Sequence, residues 1–413
     1  MINISYLPDI EKDDFLYTMG LLLRPWQWTR GGCETKLKKK IERFFKGEKT
    51  YLMSSGRGAL WVLLKALDLK DNDEIAIQGF TCCAVVNPVI SLNLKPVYVD
   101  INEKYNLDVS DFEKKITKKT KAVIVQHTFG VPADIVKIRD ICKEKNIFLV
   151  EDLAHSWGGE VNKMKLGSFG DGAVLSFGRT KVISSMFGGA VVINGDEIRK
   201  RVGQTVRVLE YPSLWFIFKQ LNHQVMFCVV KSFYNFLNIG KSFLFLAAKL
   251  ELTSKEVEDC EKKGEMNVQL QRKMPNTLCC LGLSQADKLK KFAKIRKKYG
   301  NYYINNLDKD RFQFLDVEAS YLRFPVEVDY KEELIDYAKK KGVYLGDWYS
   351  EVVSPSGVKI RKMKYKRGSC PKAERVCKRV INLPTNPNLK MKDIKKVIEV
   401  LNEFKGKEDK REE

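Results

Sequence analysis

Metal chemistry has little to stand on in this sequence. Histidine occurs three times in 413 residues, and the ten cysteines include no Cys-x-x-Cys pair, so a zinc ligand set is not expected. Disulfide-like spacing is also missing. Cys82-Cys83 and Cys279-Cys280 are sequence neighbours, and adjacent cysteines bridge each other only with strain. The cysteines are therefore expected to be reduced, buried thiols of a cytoplasmic protein. No apolar run reaches the roughly 18–20 uncharged residues of a membrane span. The opening stretch MINISYLPDIEKDD turns acidic before any apolar run and does not read as a secretory signal peptide. Internal repeats and low-complexity tracts are absent.

Negative charge is in short supply. Lys and Arg total 73 against 52 Asp and Glu, a formal net charge of +21. This favours an anionic partner: a phosphorylated substrate, an anionic lipid surface or a nucleic acid. The basic residues are scattered, with no helix-turn-helix or finger spacing, so nucleic acid is not expected as a partner. Hydrophobic residues make up 44%, which excludes global disorder.

From about residue 51 short apolar strands alternate with helices. Tyr51–Met53, Asp73–Ile77, Lys95–Val99, Lys121–Val125 and Ile147–Val150 read as strands, Ala59–Leu67 and Ile135–Lys145 as helices. Two further strands, Gly170–Leu175 and Gly188–Asn194, flank Lys181. This rhythm predicts an α/β protein with a mostly parallel sheet covered on both faces. Ligands of such sheets bind beyond the carboxyl ends of the strands, where Asp152 falls. After an apolar segment at about 210–260 the alternation resumes, with a strand at Leu322–Val326 and helices at Glu332–Lys341 and Ile394–Phe404. We expect a large domain over 1–285 and a smaller C-terminal α/β domain over 286–413.

The informative stretch is Glu151–Asn194. A carboxylate ends a strand, a histidine follows three residues on, and Lys181 lies between two core strands among Ser and Gly. A lysine buried there loses basicity and becomes an amine nucleophile toward a carbonyl. A pyridine cofactor on such a lysine needs a carboxylate at its ring nitrogen, and Asp152 is the candidate.

These residues resemble the DegT/DnrJ/StrS family of pyridoxal-phosphate-dependent sugar aminotransferases. Glu151, Asp152, Ala154, His155 and Gly158 match its E-D-x-A-[QH]-x-x-G pattern, Gly167–Asp171 its G-S-F-G-D, and Ser176, Phe177 and Lys181 its S-F-x-x-x-K. Gly188–Val192 and Ser55–Leu60 match further blocks, and Met274–Gln285 matches another with Cys279-Cys280 in place of alanines. The resemblance implies the aspartate aminotransferase fold (fold type I), a homodimer, pyridoxal 5'-phosphate, an amino acid donor such as glutamate, and a keto-sugar acceptor, nucleotide-linked. It implies that Lys181 carries the cofactor and shuttles a proton, that Asp152 pairs with the ring nitrogen, and that His155 lies by the ring. Gly56, Arg57 and Ser176 are then expected at the phosphate, where Arg57 either adds charge or points to solvent.

Two positions depart from the family. Cys82 stands where an aromatic often stacks on the ring, so Cys82, Phe80 or Phe129 is expected against it. Gln271 replaces an Asn that often reaches the neighbouring subunit's cofactor. His127 lies near the site without an assigned role. The segment 213–250 interleaves aromatics with lysines, and its polar residues, Gln220, Gln224, Lys231, Asn235 and Asn238, recur at near-helical spacing. It reads either as helices packed on the body or as a peripheral membrane contact. The expected enzyme is thus a sugar aminotransferase of polysaccharide or glycoconjugate biosynthesis. A histidine replaces the lysine in related sugar 3-dehydratases, so Lys181 argues against that chemistry. The other class of function open to the chain is a non-catalytic or regulatory scaffold on the same fold.

Overall fold

A computed structural model describes residues 2–4, 9–231, 240, 246–247, 249–250 and 252–405. In chain order the elements used below are β1 (Ile2–Asn3), α1 (Lys12–Leu22), α2 (Cys33–Phe44), β2 (Lys49–Met53), α3 (Gly56–Ala66) and β3 (Glu74–Gln78). Then come α4 (Cys83–Ser91), β4 (Lys95–Val99), β5 (Thr120–Gln126), α5 (Ile135–Lys145), β6 (Phe148–Asp152), β7 (Gly172–Ser176) and β8 (Gly189–Ile193). The remainder is α6 (Asp196–Arg207), α7 (Leu214–Lys231), α8 (Asn276–Asn306), β9 (Gln313–Phe314), β10 (Phe324–Glu327), α9 (Lys331–Lys340), β11 (Val343–Tyr344), β12 (Val380–Leu383) and α10 (Met391–Glu403).

Seven strands form the main sheet in the order β2-β8-β7-β6-β5-β3-β4. Only β8 runs against its neighbours; the other strands are parallel, as the alternating pattern predicts. Side chains alternate across the pleat, and both faces are apolar. Val123, Val125 and Leu149 join one core, while Ala122, Ile124 and Val150 join the other. A sheet buried on both sides needs continuous β-branched runs such as Lys121–Val125. The boundaries shift by a residue or two, the usual imprecision of strand ends.

A second sheet, β9-β10-β12, packs with α9 and α10 around its own core of Phe324, Val326, Ile381 and Ile398. Helix α8, 31 residues long, runs unbroken through positions 285 and 286 and links the two cores. The N-terminal β1 pairs with β11, so the first residues join the C-terminal part.

The polar stripe of α7 turns inward, as helices packed on the body require. Gln220 and Gln224 are buried: Ser254 Oγ donates to Gln220 Oε1, and Gln224 donates to the Asp14 carbonyl. Lys231 ends α7, while Asn235 and Asn238 lie outside the described residues. Among the described residues no helix is long and apolar enough to cross a membrane.

The expectation of ten reduced thiols is corrected. Cys33, at the start of α2, and Cys280, in the first turns of α8, form a disulfide. Their separation of 247 residues concealed the pair, because only the packing of α2 on α8 brings them together. Asn276 reinforces the junction by accepting the Cys33 backbone N–H. The other eight cysteines are free.

Closing so long a loop restricts the unfolded chain, and bridges of this kind stabilise by roughly 2–4 kcal/mol. Reductant is therefore expected to lower the melting temperature of the wild-type protein. A Cys33→Ser/Cys280→Ser variant should melt at the reduced value and ignore reductant. A wild-type melt indifferent to reductant contradicts the bridge.

Candidate active site

The site is built at the carboxyl ends of β5, β6 and β7. They deliver Gln126, Asp152 and Ser176 to one cavity of about 290 Å³, and the β7–β8 connection adds Lys181. Gly56, Arg57, Cys82 and His155 also line it, so seven of the eight cofactor residues expected from the sequence converge. Gln271 is the exception. It ends a short turn over Val268–Gln271, half-buried and away from the lining of this chain's cavity.

The start of α3 is shaped as a cradle. Ser55 caps the helix, its Oγ accepting the Gly58 N–H and donating to the Leu270 carbonyl. A Cβ on Gly56 would sit 2.7 Å from Ser176 Cβ, and one on Gly58 would sit 2.0 Å from the Leu270 oxygen. Only glycine allows the helix N-terminus to press this closely on β7 and the 270s. Its free N–H groups and positive dipole end face the cavity that Ser176 lines.

Lys181 and His155 form the polar centre. The Lys181 Nζ lies 3.2 Å from His155 Nε2, and His155 Nδ1 accepts the Phe129 N–H. With Nδ1 accepting, the imidazole proton resides on Nε2 and points at Nζ. Burial lowers the Lys181 pKa, against the opposing charges of Glu256, Cys82 and Asp152. Burial likewise depresses His155, with Lys181 and Arg323 adding to the effect, and keeps it neutral. Asp152 is buried, which raises its carboxyl pKa, while the Ala154 N–H at 2.9 Å and the Lys181 charge pull it back.

Behind Asp152 the wholly buried Glu151 accepts four hydrogen bonds. The N–H groups of Gly167, Phe169 and Gly170 donate at 2.7–2.8 Å, and His127 Nε2–H at 3.3 Å. His127 is fixed in that tautomer because its Nδ1 accepts the Ala133 N–H. This gives His127 a structural role and explains the spacing between the Glu-Asp pair and the Gly167–Gly170 turn.

The ring-facing surface is not what the sequence indicated. Phe80 and Phe129 are fully buried behind the cavity. Cys82 lines it, and hydrogen bonding from Cys83, aided by Arg57 and Lys181, brings its thiol down to about 7. The aromatic walls come from Trp348 and Tyr349, both roughly parallel to the His155 ring with centroids 6.3 Å away. They reach the site from a loop far along the chain, and nothing in their local sequence announced it.

Arg57 neither meets solvent nor stands free. It pairs with buried Glu261 and donates to the Glu256 carbonyl at 2.9 Å. Both acids belong to the segment 254–263, which folds over the cavity as a strap. Arg179 donates to the Ser254 carbonyl and to the neutral His223 ring, and Thr180 donates to Glu256. Glu256 enters the cavity lining. Burial would raise its pKa, but Arg179, Lys181 and the Thr180 hydroxyl outweigh burial and hold it ionised. Beneath Trp348, the Arg323 guanidinium stacks on the indole at 3.2 Å with both Nη atoms unpartnered among the described residues. Burial brings its pKa down to about 10.

A depressed lysine amine facing a carboxylate, with a helix N-terminus opposite, defines a fold built for amine–carbonyl chemistry on an anionic cofactor. The chain belongs to the DegT/DnrJ/EryC1/StrS aminotransferase family, whose profile matches residues 9–226 and 245–402. The resemblance seen in the motifs is therefore established, and only 227–244 of the apolar segment falls between the matched parts. The GDP-perosamine synthase of Vibrio cholerae is 34% identical over 194 residues, 47% of this chain and 53% of that protein. The chain thus spans about half the length of that relative. The GDP-perosamine synthase of Escherichia coli O157:H7 is 26% identical over 97% of both chains. Among solved structures, NtdA of Bacillus subtilis with bound cofactor PMP superposes with a TM-score of 0.73 at 20% identity, covering 97% of this chain and 85% of that one.

Two outcomes test the geometry. Glu151→Gln places an N–H₂ group against backbone N–H donors and leaves them unsatisfied, so stability should fall by roughly 3 kcal/mol in denaturant melts. An unchanged midpoint removes Glu151 from its structural role. Glu256→Gln deletes the leading charge that raises the Lys181 pKa. The pH midpoint for capture of added pyridoxal phosphate, followed by visible absorbance, should move to lower pH; an unmoved or higher midpoint excludes the coupling.

Proposed function

We propose that this protein is a pyridoxal-phosphate-dependent aminotransferase that moves an amino group from an amino acid, glutamate in the first instance, to a nucleotide-linked keto-sugar. The observation that carries this reading is the convergence of Lys181, Asp152 and His155 with the α3 N-terminus in one buried cavity. The residues fit the cofactor. A Cβ on Gly56 would press on Ser176 in the cavity lining, Asp152 supplies a carboxylate for a protonated ring nitrogen, and Gln126 Oε1 is a buried acceptor without a partner among the described residues.

Pyridoxal phosphate, when bound, supplies an electron sink for charge developing beside the transferred nitrogen. The chain's own residues do the rest. Lys181 offers an unprotonated amine as nucleophile and, once released, a base positioned to carry a proton. Asp152 keeps the ring nitrogen protonated through its negative charge in a water-poor site. The α3 backbone N–H groups and Ser176 hold the phosphate. His155, Trp348 and Tyr349 confine the ring and exclude water.

The names of the relatives support the acceptor class, since the two synthases above act in the formation of a GDP-linked amino sugar. PMP, the amino form of pyridoxal phosphate, supports the cofactor. The proposed substrates, charged metabolites that do not cross a bilayer unaided, support a cytoplasmic location, and the Cys33–Cys280 bridge runs against it. We also propose a homodimer, in which Gln271 serves the neighbouring subunit's site rather than its own.

The purified protein with pyridoxal phosphate is expected to be yellow, and glutamate should bleach it. Lys181→Ala should bind without that visible band. A nucleotide-linked keto-sugar should restore the colour of the bleached enzyme. A protein that stays colourless with added cofactor overturns the enzyme and leaves the scaffold reading.

A further inference from the structure

Helix α1 is inside out. Its buried side carries Asp14 and Thr18 beside Leu21, while its solvent side carries Leu16 at 69% exposure, and Leu23, just past its end, is 73% exposed. Just beyond it Trp26 is 73% exposed. Asp14 is consumed internally: it accepts from Gln285 and Lys288, and its carbonyl from Gln224. The inverted polarity is therefore held by specific bonds and is not a loose end.

Helix α7 packs beside α1 and buries Ile217 and Leu221 together with polar residues, leaving its first residues outside. Gln220, His223 and Gln224 are buried, while Leu214 and Trp215 are exposed. The two helices meet through stacked rings: Trp28 and Phe218 centroids are 6.5 Å apart, and Phe218 and Trp215 5.3 Å. Trp28 is tied to α1 by its indole N–H, which donates to the Leu21 carbonyl. Leu23 and Trp26 come shortly before Trp28 in the chain, and Leu214 and Trp215 shortly before Phe218, so the exposed apolar residues flank the two sides of this stack. An exposed apolar face this concentrated marks a contact surface.

The charge around it selects the occupant. Lys12, Arg24 and Arg30 are exposed and make no ion pair with a described residue, whereas Glu11 and Asp13 are paired with Lys288 and Lys291 on α8. A second copy meeting this face about a two-fold axis would set these cations against themselves, which is costly. An anionic lipid surface accepts both the cations and the apolar side chains, with tryptophans at the headgroup level.

We propose that the α1–α7 face docks this protein peripherally on anionic lipid. The contact leads with α1, not only with the segment after residue 213, and it needs no spanning helix.

Flotation of the full-length protein with vesicles tests this. Vesicles of phosphatidylcholine with phosphatidylglycerol should carry the protein, and phosphatidylcholine alone should not. Leu23→Glu/Trp26→Glu alters exposed positions, so its melting curve should match wild type while its partitioning falls at least about tenfold, the equivalent of some 1.4 kcal/mol. Arg24→Glu/Arg30→Glu should weaken binding through charge alone, and high salt should reproduce that loss. Equal binding to both vesicles, no flotation at low salt, or wild-type binding by both variants overturns the proposal. So does a Leu23→Glu/Trp26→Glu protein that loses a dimer in light scattering but still floats, since the face then serves a second copy.

Discussion

A buried negative charge organises the catalytic face. Glu151 has no access to water and could not persist there unpaired, since desolvating a carboxylate costs several kcal/mol. Three backbone N–H groups and a histidine surround it. In satisfying this one anion the chain fixes the Gly167–Gly170 turn, the His127 tautomer and the register of β6. Asp152, the carboxylate proposed to face the cofactor ring, is the next residue on the same strand. Two adjacent acids have divided their tasks: one is spent entirely on position, the other left available for chemistry.

Charge balance governs the opposite wall. Arg179 and Arg323 are buried near the cavity, and Arg57 and Lys181 are partly buried there. Such a concentration of positive charge is unfavourable unless compensated, and the strap at 254–263 compensates it with Glu256 and Glu261. The strap is thus held by electrostatics more than by apolar packing. Arg57 and Arg179 are already engaged by the strap, whereas the Arg323 Nη atoms have no partner among the described residues, so an incoming anion meets Arg323 first.

The sheet was legible because its strands are buried on both faces, which writes them as continuous runs such as Lys121–Val125. The core of the site was legible because Asp152, His155 and Lys181 lie within thirty residues and are locked to the sheet by the glycine turns. What the sequence hid depends on distance. Trp348 and Tyr349 arrive from the C-terminal part, and their local pattern is that of any loop. Glu256 looked like one charge among many until Thr180 and the arginines were placed around it. Cys33 and Cys280 carried no spacing signal because their pairing is a property of helix packing. The polar stripe of α7 was visible, but its direction was not: periodicity finds a face without saying whether it looks in or out.

The long helix α8 gives the molecule a lever. At 1.5 Å per residue its 31 residues extend over roughly 46 Å. One end is pinned, covalently by Cys280 and by the hydrogen bonds of Asn276; the other carries Tyr303 into the core of the second sheet. A beam fixed at one end magnifies rotation at its support into displacement at its tip. Trp348 and Arg323 belong with the second sheet, so one continuous helix ties the disulfide junction to the part of the chain that supplies this wall.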